Sequence, residues 1–151
     1  MKILIDADGC PVVDTTVRMA REYNIPCIIL CDTAHQIQRP GATTRILSKG
    51  SDSVDFALVN MVEKGDLVIT QDYGLAAMCI ARGAQVLHQD GRPYTSENID
   101  GLLFSRHASK KARQAGLRVK GPKKRSKDQD RYFETSLRNI LERNSFENTE
   151  G

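Results

Sequence analysis

The sequence predicts an α/β fold: one three-layer α/β/α domain around a mainly parallel sheet with strand order 3-2-1-4-5. Three observations predict it. Short, dense apolar runs (KILI, PCIILC and DLVIT) recur along the chain, and a run without polar alternation marks a strand buried on both faces. Between the runs lie segments with apolar residues at helical spacing. Strands that alternate with helices are joined by right-handed crossovers, which make the strands parallel and cover both faces of the sheet.

The first strand is residues 2–5, ending at Asp6. Pro11 suits the first turn of a helix, with Asp14 near its positive end. Val13, Val17 and Ala20 continue it at helical spacing, and Asn24 and Pro26 stop it. Residues 26–31 form the second strand, residues 35–43 a loop with a Pro-Gly turn, and residues 44–47 a short third strand. Residues 51–64 are the clearest helix, with Val54, Ala57, Leu58, Met61 and Val62 on one face. Gly65 ends it, and residues 66–70 are the fourth strand. A helix over 75–82 ends at Gly83, and residues 84–88 are the fifth strand. Gly91 and Pro93 mark a turn, and residues 95–116 are mostly helical. After a basic loop, Ser126 and Gln129 form a capping box that opens a helix with Phe133, Leu137, Ile140 and Leu141 on one face. The domain spans residues 1–143, including a basic arm at 106–131, and residues 144–151 read as a frayed, disordered tail.

At 151 residues the chain can bury about 70% of its unfolded surface, so it needs no disulfide or metal to hold a core. Its four cysteines lack a C-x-x-C pair and read as buried, reduced thiols. The start, MKILIDADG, has too short an apolar run for a signal peptide, and no stretch approaches the ~18 apolar residues of a membrane helix. The expectation is a cytoplasmic protein that does not engage membranes.

In a parallel sheet, ligands bind beyond the carboxyl ends of the strands where strand order reverses. For the predicted order that point lies between strands one and four. Asp6 and Asp8 follow strand one, Asp72 follows strand four, and Asp52 and Asp55 open the helix leading into strand four. Crowded carboxylates repel one another unless a cation neutralises them. A set rich in oxygen ligands and poor in histidine suits Mg²⁺ or Mn²⁺, which can activate water and stabilise charge on a phosphoryl oxygen. Each acid also has a plain structural role on offer. Asp8-Gly9 is a turn signal, Asp52 with Asp55 can cap a helix, and Asp72 can cap the next one. Asp6 has no such role, because nothing near it in sequence needs its charge.

Charge is divided along the chain. From Arg106 to Arg131 there are 11 Lys or Arg against 2 Asp, while the remainder has 11 basic against 17 acidic residues. An acidic body with a basic arm suits an anionic polymer held by one part and processed by the other. Lys110, Lys111, Arg113, Arg118, Lys120, Lys123, Lys124 and Arg125 could track a phosphate backbone, without interleaved aromatics to read bases.

The segments IDADGCPV, GSDSVDFAL, VITQDYGLA and GPKKRSKDQDRYFETSLRNIL resemble the YaiI/YqxD family, bacterial proteins of unknown function related to PIN-like nuclease domains. The resemblance runs from about residue 2 to residue 142. It implies a PIN-like fold with acids after strand one, on a central helix and after strand four, which here are Asp6, Asp55 and Asp72. It further implies metal-dependent cleavage of RNA at these three residues, with Asp8 and Asp52 as added metal ligands. Asp90, after strand five, is a weaker fourth acid, since D-G-R-P also reads as a turn.

Two other classes compete. The D-x-D of Asp6 and Asp8 resembles the opening of haloacid-dehalogenase-type phosphatases, although a helix starts at once after it and Asp72 lacks a paired acid. A non-catalytic RNA-binding module would use the acids only as caps or structural ligands. A dinucleotide site is disfavoured: Asp32 ends strand two, but the first strand–helix turn has no G-x-G-x-x-G. Of the histidines, His88 at the end of strand five could face the site.

Overall fold

The computed structural model describes residues 1–49, 53–116 and 124–150. Its elements are β1 (Ile3–Asp6), α1 (Val13–Glu22), β2 (Cys27–Asp32), β3 (Thr43–Leu47), α2 (Ser53–Met61), β4 (Leu67–Ile69), α3 (Tyr73–Ala81), β5 (Gln85–Leu87), β6 (Pro93–Tyr94), α4 (Ser96–Gln114) and α5 (Lys127–Glu150). The strands form one sheet in the order β3-β2-β1-β4-β5-β6. The first five are parallel, in the order the sequence predicts, and β6 runs antiparallel to β5.

The strand side chains alternate between two apolar layers, as the pleat requires. Ile3, Ile5, Ile29, Leu67 and Ile69 face α1 and α5, where Val17, Phe133, Leu137 and Leu141 close the layer. Leu4, Leu30, Val68 and Val86 face the other way, onto Leu58 and Val62 near α2, Leu75 and Cys79 of α3 and Ile99 of α4. This is the three-layer arrangement the dense strands imply. Phe133, Leu137, Ile140 and Leu141 are all buried, so the predicted face of α5 is the one that docks. The capping box that opens this helix is formed, with Ser126 N donating to Gln129 Oε1 at 2.8 Å. All four cysteines are free thiols, and Cys27, Cys31 and Cys79 are buried.

Two features differ from the sequence reading. The segment around Pro93, expected to be only a turn, forms β6. Two residues carry no periodicity to read, and a proline is tolerated because the strand lies at the sheet edge. Gly91, in the hairpin turn, has φ +97°, and a Cβ there would sit 2.6 Å from the Tyr132 ring and 2.9 Å from Phe133 N. The hairpin is thus pressed onto α5. Second, α5 remains helical through Glu150, where fraying is expected from residue 144; no Gly or Pro interrupts 144–150 to end it. Asn24 stops α1 as predicted. It adopts φ 55°, and Ile25 N returns to Ala20 O at 2.8 Å, a left-handed C-terminal cap.

One ion pair ties down the amino end of the sheet. Asp66 is buried and accepts from Lys2 N at 3.1 Å, Lys2 Nζ at 2.6 Å and Glu63 N at 2.9 Å. Burial works to raise its carboxyl, but these donors prevail and hold it below the ordinary value of 3.8. Asp66→Ala leaves two backbone N–H groups without this acceptor and Lys2 Nζ paired with Glu63 at 3.5 Å, so we expect a loss of about 1–3 kcal/mol in urea unfolding. A carboxyl held low contributes stability above its unfolded pKa and loses it as pH falls through the folded one. The gap between wild type and Asp66→Ala is therefore expected to close below pH 3.8.

Candidate active site

The chain visits β1, β2 and β3 on one side of the sheet, then crosses back to place β4 beside β1. The carboxyl ends of β1 and β4 therefore flank the switch point. Asp6 is the last residue of β1, in register with Leu30. Its Oδ2 accepts a hydrogen bond from Thr70 Oγ1 at 2.8 Å, and the same Oγ1 accepts from Asp72 N at 3.0 Å. Thr70 is buried and joins the two aspartate segments through one hydroxyl. Sequence reasoning missed it. The available signal was a hydroxyl residue closing an apolar strand just before the site loop.

Asp72 is the N-cap of α3, and its Oδ1 accepts from Leu75 N at 3.1 Å. The capping role foreseen for it is real. Asp55 lies in the first turn of α2 and is half-buried. Asp8 is largely exposed in its turn beside Gly9 (φ +63°), with His35 Nδ1 at 3.9 Å. Asp52 falls outside the described residues.

Asp6 senses the other acids. Burial pushes the Asp6 carboxyl up to about 6; the Thr70 hydrogen bond opposes this, and the charges of Asp55, Asp72 and Asp8 add to it. Among the described residues no three His, Cys, Asp or Glu side chains form a ready group for a metal ion. The donor set is nevertheless of the right kind for a hard divalent cation. Mg²⁺ is usually held by one or two carboxylates and several waters rather than by a closed protein cage. Asp6, desolvated and facing three like charges, is the residue a cation would relieve most.

Asp90 stands apart from this group. It pairs with His88 Nδ1 at 2.8 Å and accepts from Arg92 N at 3.0 Å and Arg92 Nε at 2.9 Å. Burial would raise its carboxyl, but these donors hold it low, and the D-G-R-P segment is the turn it resembles. His88, in the β5–β6 hairpin, is half-buried, and that burial lowers its pKa. Asp32 is occupied by Ala34 N, His35 N and the His35 ring at 2.8–3.1 Å.

The basic arm is described only in part. Lys110 and Lys111 are exposed near the end of α4, the Arg113 backbone is helical, and Lys124 is exposed before α5. Arg118, Lys120 and Lys123 lie outside the described residues. Arg125 is anchored: Nη2 donates to Gln89 O at 2.9 Å and Nε pairs with Asp130 at 2.7 Å. Its charge reaches Cys10, where burial pushes the thiol up to about 11, Asp6 adds to that and Arg125 opposes it. Arg125 thus sits at the carboxyl end of β5, held by Gln89. No helix among the described residues is long and apolar enough to cross a membrane.

Comparison with known proteins places relatives beside this site. A family model described as "Uncharacterized BCR, YaiI/YqxD family" matches residues 4–143. A UPF0178 protein of Exiguobacterium sibiricum is 55% identical over 141 residues, covering 93% of this chain and 96% of the relative. One from Clostridium acetobutylicum is 46% identical over 145 residues, covering 95% and 98%. No solved structure matches the chain.

The raised carboxyl of Asp6 has a measurable consequence. A folded pKa of about 6 against 3.8 gives stability that is present below 3.8 and lost as pH rises through about 6. Without added metal, Asp6→Asn is expected to raise unfolding free energy above pH 6 by about 3 kcal/mol, from two pKa units at about 1.4 kcal/mol each. The variant is also expected to flatten stability between pH 4 and 6. Urea titrations across that range check it, and an unchanged profile refutes the burial argument.

Proposed function

The chain belongs to the YaiI/YqxD family, and from that premise we propose that it is a divalent-metal-dependent nuclease acting on RNA, with a PIN-like arrangement of acids. One observation carries the reading: a desolvated carboxylate, Asp6, ends the central strand at the switch point, and three further acids raise its pKa. Asp6, Asp55 and Asp72 are the catalytic set. Asp6 and Asp72 would hold Mg²⁺ or Mn²⁺ from the ends of β1 and β4, and Asp55 from α2, with Asp8 as an added ligand; Asp52, outside the described residues, is a further candidate by sequence. When bound, such an ion supplies charge stabilisation at a phosphoryl oxygen and activation of water for in-line attack. Thr70 positions the Asp6 carboxylate by donating to Oδ2. Lys110, Lys111 and Lys124 are suited to the phosphate backbone, and Arg125 brings a fixed positive charge to the same edge.

A non-catalytic RNA-binding module is the second reading, favoured by the want of a three-ligand group among the described residues and by the capping role of Asp72. The phosphatase reading is weaker, because α1 begins at Val13 and leaves only a short turn where a flap would emerge.

Purified protein is expected to cleave single-stranded RNA when Mn²⁺ is supplied and to stop on chelation. Asp6→Asn and Asp72→Asn are each expected to lower turnover by several orders of magnitude. Asparagine caps helices about as well as aspartate, so α3 survives the second change. Wild-type cleavage by a well-folded double variant sinks the nuclease reading; salt-sensitive RNA binding indifferent to chelator and to Asp6→Asn, without cleavage, selects the module. Mn²⁺ also competes with the proton on Asp6. Its affinity, read by calorimetry, is expected to climb tenfold per pH unit up to about 6 and then level.

A further inference from the structure

A cavity of about 320 Å³ lies between the β5–β6 hairpin and α4, lined by His88, Arg92, Tyr94, Asn98, Gly101 and Ser105, with Pro93. This is the small end of the ~300–1,000 Å³ range of ligand pockets. Its walls are ring-bearing. The His88 and Tyr94 rings meet edge to face at 5.8 Å, and Tyr94 packs the same way on Tyr73, also at 5.8 Å. Tyr73 directly follows Asp72, so the ring that packs on the Tyr94 wall belongs to the segment carrying that acid.

The polar groups of the lining are mixed in kind. Both Asp90 contacts fall on His88 Nδ1, leaving Nε2 as the ring's other hydrogen-bonding atom. Arg92 pairs with Asp90 through Nε, which fixes a guanidinium at the mouth. Ser105 adds a hydroxyl. Tyr94 is buried, and its hydroxyl has no hydrogen-bond partner among the described residues.

We propose that this cavity holds one nucleobase of a single-stranded RNA whose phosphates lie at Asp6 and Asp72. The inference rests on the nuclease reading for where the phosphates lie. Ring walls, donors and acceptors together, and a guanidinium at the rim match a flat heterocycle on a sugar-phosphate. Single-stranded RNA is read in this way, by unstacking a base onto aromatic side chains and bonding its edges. The volume admits one base rather than a stacked run, so the site is a single pocket beside the cluster. It goes beyond the backbone-only contact expected of the basic arm.

The test measures binding of the full chain with chelator present, so that no cleavage is needed. The probes are a six-residue oligouridine, an abasic strand of equal length and charge, and uridine monophosphate. Wild type is expected to bind oligouridine at least tenfold tighter than the abasic strand. Gly101→Leu is expected to erase that preference by filling the cavity; a Cβ at Gly101 meets no heavy atom within 4 Å, so the fold tolerates it. Tyr94→Leu, which removes the ring wall, is expected to weaken the preference, and Tyr94→Phe, which keeps the ring, is expected to retain it. Equal binding of the two strands by wild type, or a folded Gly101→Leu that still prefers oligouridine, overturns the proposal. Uridine monophosphate binding as tightly as oligouridine overturns the strand as its source. Base preference without Mn²⁺-dependent cleavage sinks the nuclease reading and leaves the cavity; cleavage without base preference sinks the cavity alone.

Discussion

Everything at the site depends on the confinement of β1. It is hydrogen-bonded to β2 on one side and β4 on the other, and its side chains are packed on both faces. A strand held in four directions cannot shift to let its last residue reach water. Asp6 therefore carries its charge into a half-buried position, and the cost appears as a carboxyl titrating near 6. Neither the helix caps nor the turns around it relieve that cost. The neighbouring acids increase it.

The two ends of the same sheet resolve buried charge in opposite ways. At the amino end, Asp66 has a lysine and two backbone donors, and its carboxyl is held low. At the carboxyl end, Asp6 has one hydroxyl bond and three acids around it. The first arrangement is complete within the protein and serves the fold. The second leaves a half-buried carboxyl beside other acids, with its pKa raised. Such polarity, with stability concentrated at one edge and unrelieved charge at the other, is the usual division between scaffold and site in parallel α/β sheets.

Much of this was legible in the residues. Dense apolar runs announced strands buried on both faces, and the reversal between strands one and four followed from the alternation of elements. Asp6 stood out because no local role explained it. Other features were not legible, for identifiable reasons. β6 is two residues long and exists through pairing with Val86 and Leu87, a partner no local pattern reveals. The Thr70 bridge is a side-chain bond across 64 positions, to which periodicity is blind. Asp90 looked like a site acid until His88 and Arg92 were seen to engage it. The cavity beside α4 arises from the packing of a hairpin on a helix and has no signature in either segment.

Pro93 gives the sheet a direction of growth. Arg92 O accepts from His88 N, facing β5. Across a trans peptide the next nitrogen points the opposite way, outward, and at Pro93 that nitrogen bears no hydrogen. A foreign strand approaching this margin finds a donor missing at the centre of a two-residue docking rail. At the far margin, β3 is an edge strand of five residues, with Thr43, Arg45 and Ile46 exposed. Self-association by backbone pairing is thereby discouraged at the β6 margin and directed to β3, on the side remote from the cavity.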